Sequence, residues 1–255
     1  MYKIPYINTL IKRIDHDIQL LGFIPAMQQL IKRTSVALQI HALDNKTHDL
    51  LQNNGCIVIF NHPYEIETYV VVSALPNRND LKIIATSNLL GISKSFDHYL
   101  LPVYVDHNAK KEKANKLSGH FVKLFNLRPY IHPEEAHKKN IQTLKNASQF
   151  IQKGGLVVLC PEGFRGKEGR WFSGIGHLIV GVGSKKEVYY VSCYINHTSN
   201  LDWCRLIPFI GRILPAITVS FSNPRPLRDI IDTYRDPKNI TLGLEHEYNL
   251  WTNSL

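Results

Sequence analysis

Cys56-Ile57-Val58-Ile59-Phe60 runs directly into Asn61-His62-Pro63-Tyr64-Glu65-Ile66-Glu67, and much later Leu156-Val157-Val158-Leu159-Cys160 runs into Pro161-Glu162-Gly163-Phe164-Arg165. Each apolar run is short, continuous and rich in β-branched residues, the pattern of a strand buried on both faces. Each is followed at once by polar, chemically capable side chains. Open α/β sheets place their sites at such strand exits. The two segments decide the reading of the chain: the first offers a base with a carboxylate partner, the second an anion clamp.

Outward from these runs, Ser35–Ala42, Leu81–Ala85, Val103–Val105, Val188–Ile195 and Ile217–Phe221 read as further strands. Helices are expected over residues 64–75, ending before Pro76, and over 138–152, ending at the Gly154-Gly155 cap. Residues 91–101 read as loop. Alternating strands and helices predict an α/β fold with a mixed central sheet flanked by helices.

At the N-terminus, Ile7, Leu10, Ile11, Ile14, Ile18 and Leu21 fall at helical spacing, and Met27, Leu30 and Ile31 follow Pro25. A mid-helix proline breaks the ladder, so a helical hairpin is expected, broken at Pro25. The organisation is then residues 1–34 as an amphipathic hairpin and 35–255 as the α/β domain. Two compatible readings of the hairpin are open. Its stripe packs on the domain, or Leu, Ile and Phe23 dip into a membrane surface beside Lys12, Arg13, Lys32 and Arg33. No stretch reaches the roughly 18 uninterrupted apolar residues of a spanning helix.

The chain has 255 residues, a formal charge of +9 and a pI near 9.3. That excess suits an anionic partner such as a membrane or a phosphorylated substrate. No zinc finger, RNP signature or basic heptad is present, so nucleic acid is not expected. Cys56, Cys160, Cys193 and Cys204 lack a Cys-x-x-Cys spacing, which points to a reducing, cytoplasmic setting. A cleaved signal peptide is not expected either. His132 and His137 stand five apart, the wrong spacing for one helical face, and no metal is implied. Gly174-Ile175-Gly176 and Gly181-Val182-Gly183 lack a Walker lysine and a full dinucleotide fingerprint, and no Gly-x-Ser-x-Gly elbow occurs.

His62 with a nearby carboxylate suits general-base work: the neutral ring takes a proton and the carboxylate orients it. Gly163 permits close backbone approach, and Arg165 can grip a phosphate with two parallel hydrogen bonds.

Together these segments resemble the glycerolipid acyltransferase family that includes the 1-acylglycerol-3-phosphate acyltransferases. That family carries Asn-His-x-x-x-x-Asp and later Phe-Pro-Glu-Gly-Thr-Arg-Ser. The matching positions here are Asn61, His62 and Glu67, then Pro161, Glu162, Gly163 and Arg165. Leu101–His107, with Asp106 and His107 at its end, resembles the family's second block. Trp171–Gly176, Val188–Ile195 and Asn223–Leu227 resemble its later ones.

The resemblance implies that Glu67 orients His62, which deprotonates an acceptor hydroxyl. The hydroxyl oxygen then attacks an acyl thioester of coenzyme A or acyl carrier protein. No metal or resident cofactor is implied. Glu162, Gly163 and Arg165, with Asp106 and His107, would bind the phosphate end of a lysophospholipid or glycerol phosphate. The work would be phospholipid biosynthesis at the cytoplasmic face of a membrane.

The chain departs from the pattern at several positions. Glu67 replaces aspartate, and Glu65 is a competing partner for His62. His107 replaces arginine, Phe164 and Gly166 replace threonine and serine, and Cys160 replaces phenylalanine. Two alternatives follow: a non-catalytic, membrane-associated lipid-binding relative, or an acyltransferase for an acceptor without phosphate.

Overall fold

The computed structural model describes residues 5–64, 66–104, 131–163, 170–184, 187–206 and 210–255. Its centre is an eight-stranded sheet in the order β1-β7-β6-β2-β5-β3-β4, with β8 added on β6. The strands are β1 (Leu38–His41), β2 (Gly55–Phe60), β3 (Leu81–Thr86), β4 (Leu100–Val103), β5 (Leu156–Leu159), β6 (Val188–Asn196), β7 (Ile217–Phe221) and β8 (Arg225–Pro226). All ladders are parallel except β6–β7 and β6–β8. The mixed α/β class read from the sequence is the one observed.

The two signature runs lie side by side. β2 pairs with β5 in parallel, Cys56 opposite Leu156 and Ile59 opposite Leu159. Every residue of both strands is buried. The strand period of two splits β2 between two cores. Cys56, Val58 and Phe60 enter one cluster, while Ile57 and Ile59 enter the other.

The first cluster is closed by α1 (Pro5–Leu21), α2 (Phe23–Arg33), α4 (Glu67–Ala74) and α5 (Lys94–Tyr99). The opposite face carries α6 (Pro133–Gln152), α7 (Gly174–Val182), α8 (Leu227–Tyr234) and α9 (Pro237–Thr252). A further helix, α3 (Asn45–Asn53), precedes β2 and is capped by Asp44, whose side chain accepts from Thr47 N.

The N-terminal hairpin forms, but its break is at Gly22 rather than Pro25. Gly22 has φ +86°, a conformation that glycine adopts without steric cost. Pro25 falls in the first turn of α2, where its missing N–H is no loss. Phe23, Ile24, Met27, Leu30 and Ile31 are buried, and Phe23 stacks on Tyr99 at 4.8 Å. Phe23 is therefore core, not a side chain presented to lipid; among the described residues the exposed large apolar side chains of the hairpin are Leu20 and Leu21. Among the described residues no helix is long and apolar enough to cross a membrane.

Other boundaries shift for local reasons. The strand expected at 103–105 is β4, Leu100–Val103. Part of the 91–101 loop is helix α5, whose Ser93 cap accepts from Phe96 N. The helix expected from 138 starts at Pro133, a residue suited to a first turn. Its end is as expected: Gly154 N bonds Ile151 O and Gly155 N bonds Phe150 O, the paired bonds of a Schellman cap.

At the edge of the sheet where β2 and β5 begin, Arg78 ties the ends of α3 and α6 together. Its guanidinium donates to Leu51 O, Asn54 O and Gly154 O and pairs with Asp80. It thereby satisfies helix-terminal carbonyls that have no partner within their helices.

Candidate active site

β2 is held to the strand beside it past its last ladder residue. Asn61 Nδ2 donates to Ile195 O and Asn61 Oδ1 accepts from Ile195 N, both at 2.8 Å. The side-chain amide thus continues the pairing with β6 and fixes where the next residue emerges. That residue is His62.

Glu67 is the first residue of α4, and its carboxylate sits at the helix end where orphan N–H groups favour negative charge. His62 Nδ1 lies 2.9 Å from Glu67 Oε2. The Glu67 side chain is fully buried while that of His62 is 17% exposed, so the ring can meet a substrate that the carboxylate cannot. A bond from Nδ1–H to the carboxylate assigns the tautomer and leaves Nε2 as the ring's basic atom. Glu67 Oε1 has no hydrogen-bond partner among the described residues. The competing Glu65 lies outside them.

At the neighbouring exit, Pro161, Glu162 and Gly163 turn the chain away from β5. Gly163 has φ +68° and its N–H bonds Cys160 O. A Cβ there would stand 3.0 Å from the Phe172 ring. Phe172 N donates to Pro161 O at 2.9 Å, bringing residues 171–173 back to the strand end.

Burial raises the pKa of Glu162, against lowering contributions from Trp171 and His62, and Glu245 raises it further. Trp171 is buried, and its Nε1 has no well-aligned hydrogen-bond partner, although it is close enough to the Glu162 carboxylate to act on it.

Cys160 adjoins both carboxylates and is not a nucleophile. Burial, with Glu162 and Glu67 nearby, pushes its thiol up to about 12. At neutral pH the thiolate fraction is then on the order of 10⁻⁵, far below that of a reactive cysteine.

Of the predicted residues, the structure places His62 with Glu67 and sets Glu162 and Gly163 at the adjoining exit. Asp106, His107 and Arg165 lie outside the described residues. Three further residues join the site. Glu245 and Tyr248 come from α9: Glu245 Oε1 accepts from Trp171 N at 3.2 Å, and Tyr248 packs 5.4 Å from the Trp171 ring. The burial that raises the Tyr248 hydroxyl's pKa is reinforced by Glu162 and Cys160. Trp171 had a signal in the sequence, beside the Phe/Gly stretch. Glu245 and Tyr248 had none, because only tertiary packing brings α9 against α7 and lets the Tyr248 hydroxyl donate to Cys193 O of β6.

One glycine of each pair, Gly176 and Gly181, is a packing device. A Cβ on Gly176 would stand 1.9 Å from Pro237 O, and one on Gly181 would stand 2.6 Å from Ser148 Oγ. Small residues there let α7 approach α9 and α6.

No protein-family model matches the chain, and no curated protein matches it. Among solved structures it is similar to the 1-acyl-sn-glycerophosphate acyltransferase PlsC from Thermotoga maritima, with a TM-score of 0.45 and 15% identity over 96% of each chain.

Proposed function

We propose that the protein is an O-acyltransferase that moves an acyl group from a thioester to a lipid-like hydroxyl. The observation that carries this reading is the 2.9 Å contact between His62 Nδ1 and the buried carboxylate of Glu67, at an exit where the ring keeps access to solvent. The sequence resemblance supports the reaction class. His62 Nε2 takes the proton as the acceptor oxygen attacks the thioester carbonyl. The tetrahedral intermediate collapses, the C–S bond breaks, and the leaving thiolate recovers the proton from the imidazolium. Such a base contributes about two to four powers of ten in rate. The inert Cys160 thiol is in keeping with direct transfer without an acyl-enzyme.

The donor we propose is acyl-coenzyme A or acyl carrier protein, and the acceptor a lysophospholipid or glycerol phosphate. At the acceptor end we propose that Gly163, Arg165, Asp106 and His107 line the site. The charge of +9 favours work at an anionic membrane surface.

Release of free thiol from an acyl thioester, followed with a panel of lysophospholipids, tests the reading. The wild type turns over and His62→Ala does not. Turnover that persists in His62→Ala rejects the mechanism. Binding to anionic vesicles with no turnover on any acceptor assigns the chain to lipid binding instead.

A further inference from the structure

Glu162, as a carboxylate, does not suit a direct phosphate contact. A carboxylate repels a phosphate and contributes to its binding only through an intervening cation or proton. β2 and β5 are parallel neighbours with Ile59 level with Leu159, so His62 and Glu162 leave the sheet side by side. Cys160 packs against the core cluster that α4 closes, Glu162 follows it by two residues, and its thiol is raised by both Glu162 and Glu67. From the other elements, Trp171 and Glu245 bear on the same carboxylate, while the nearby Tyr248 hydroxyl donates to Cys193 O at 3.0 Å. Of these groups only the His62 ring can become positive, and it does so when it takes the proton during transfer.

We propose that Glu162 is a positioning residue for His62: its carboxylate, at the exit next to that of His62, is a second counter-ion, beside Glu67, for the imidazolium formed during transfer. The inference rests on His62 being the base of the proposed acyl transfer. Glu162 gains no proton in the cycle; the proton passes from the hydroxyl to Nε2 and on to the leaving thiolate. A half-buried carboxylate is unfavourable in the resting site and is relieved when the ring becomes charged. Glu162 thus favours the transition state over the ground state.

Two measurements test this. In steady-state kinetics with an acyl thioester and a lysophospholipid, Glu162→Gln lowers kcat at least about tenfold and changes the acceptor KM less than about twofold, as expected for a lost charge interaction. An increase in acceptor KM with kcat retained assigns Glu162 to acceptor binding and overturns the proposal.

The second readout needs no turnover. With Trp203 and Trp251 replaced by Phe, the emission of Trp171 is followed against pH. A transition above the ordinary carboxylate range is expected, lost in Glu162→Gln and moved to higher pH in His62→Gln, which removes the cation. A transition that ignores His62→Gln overturns the pairing. Should the fluorescence behave as expected while no acceptor supports thioester release, the pairing stands and the acyltransferase reading fails.

Discussion

At the exit of β2 a glutamate spans the distance that the resembled motif covers with aspartate. The extra methylene lets a carboxylate at the start of α4 reach His62 Nδ1 at 2.9 Å while staying fully buried. Shortening it should open that bond: Glu67→Asp is expected to lower kcat about tenfold or more, read in the thioester assay. Cys160 gives the opposite expectation. With its thiol pushed up to about 12, Cys160→Ala should retain turnover, and iodoacetamide at pH 7.5 should not inactivate through this residue. His62 and Glu67 were legible in the sequence because local order alone brings them within reach. Trp171, Glu245 and Tyr248 needed the helix α9 folded against α7 and β6, an arrangement that no spacing along the chain records.

At the scale of elements, periodicity located the strands well and their connections less well. Buried parallel strands are continuous apolar runs, a signal that survives without context. The hairpin break was misplaced because proline breaks a helix only past its first turn, and Gly22 supplies the conformation that starts α2 afresh. Arg78 carries no motif, yet it satisfies carbonyls of α3 and of the Gly154 turn at once. Arg78→Met should cost about 3 kcal/mol, seen as a lower urea midpoint, since buried acceptors are left without donors. Lysine should restore only part of this, having no planar fork. Gly176→Ala should also destabilise, by about 1–3 kcal/mol, because its methyl would collide with Pro237 O of α9.

Across the whole molecule, the sheet order explains why two distant segments make one site. β5 inserts between β2 and β3, and β6 joins the other edge of β2, so the His62 strand is flanked on both sides by parallel partners. The α/β class was legible from the alternation of elements. That β2 and β5 are neighbours was not, because non-consecutive strands pair through crossovers. The gathering of charge at their exits has a cost in stability. Glu162 has a raised pKa in the folded protein, so the folded state binds its proton more tightly than the unfolded chain does. Stability from this group is therefore gained as pH falls through the raised pKa. Glu162→Gln should raise the unfolding midpoint near pH 7, and that advantage should shrink as the pH approaches 4, where the wild-type carboxyl is also protonated. The central claim is that a carboxylate buried beneath His62 makes it the base for acyl transfer. The most direct measurement is kcat for thioester-dependent acylation by Glu67→Gln, which keeps the side chain's shape and removes its charge. A fall of about two or more powers of ten is predicted; turnover near that of the wild type would contradict the account.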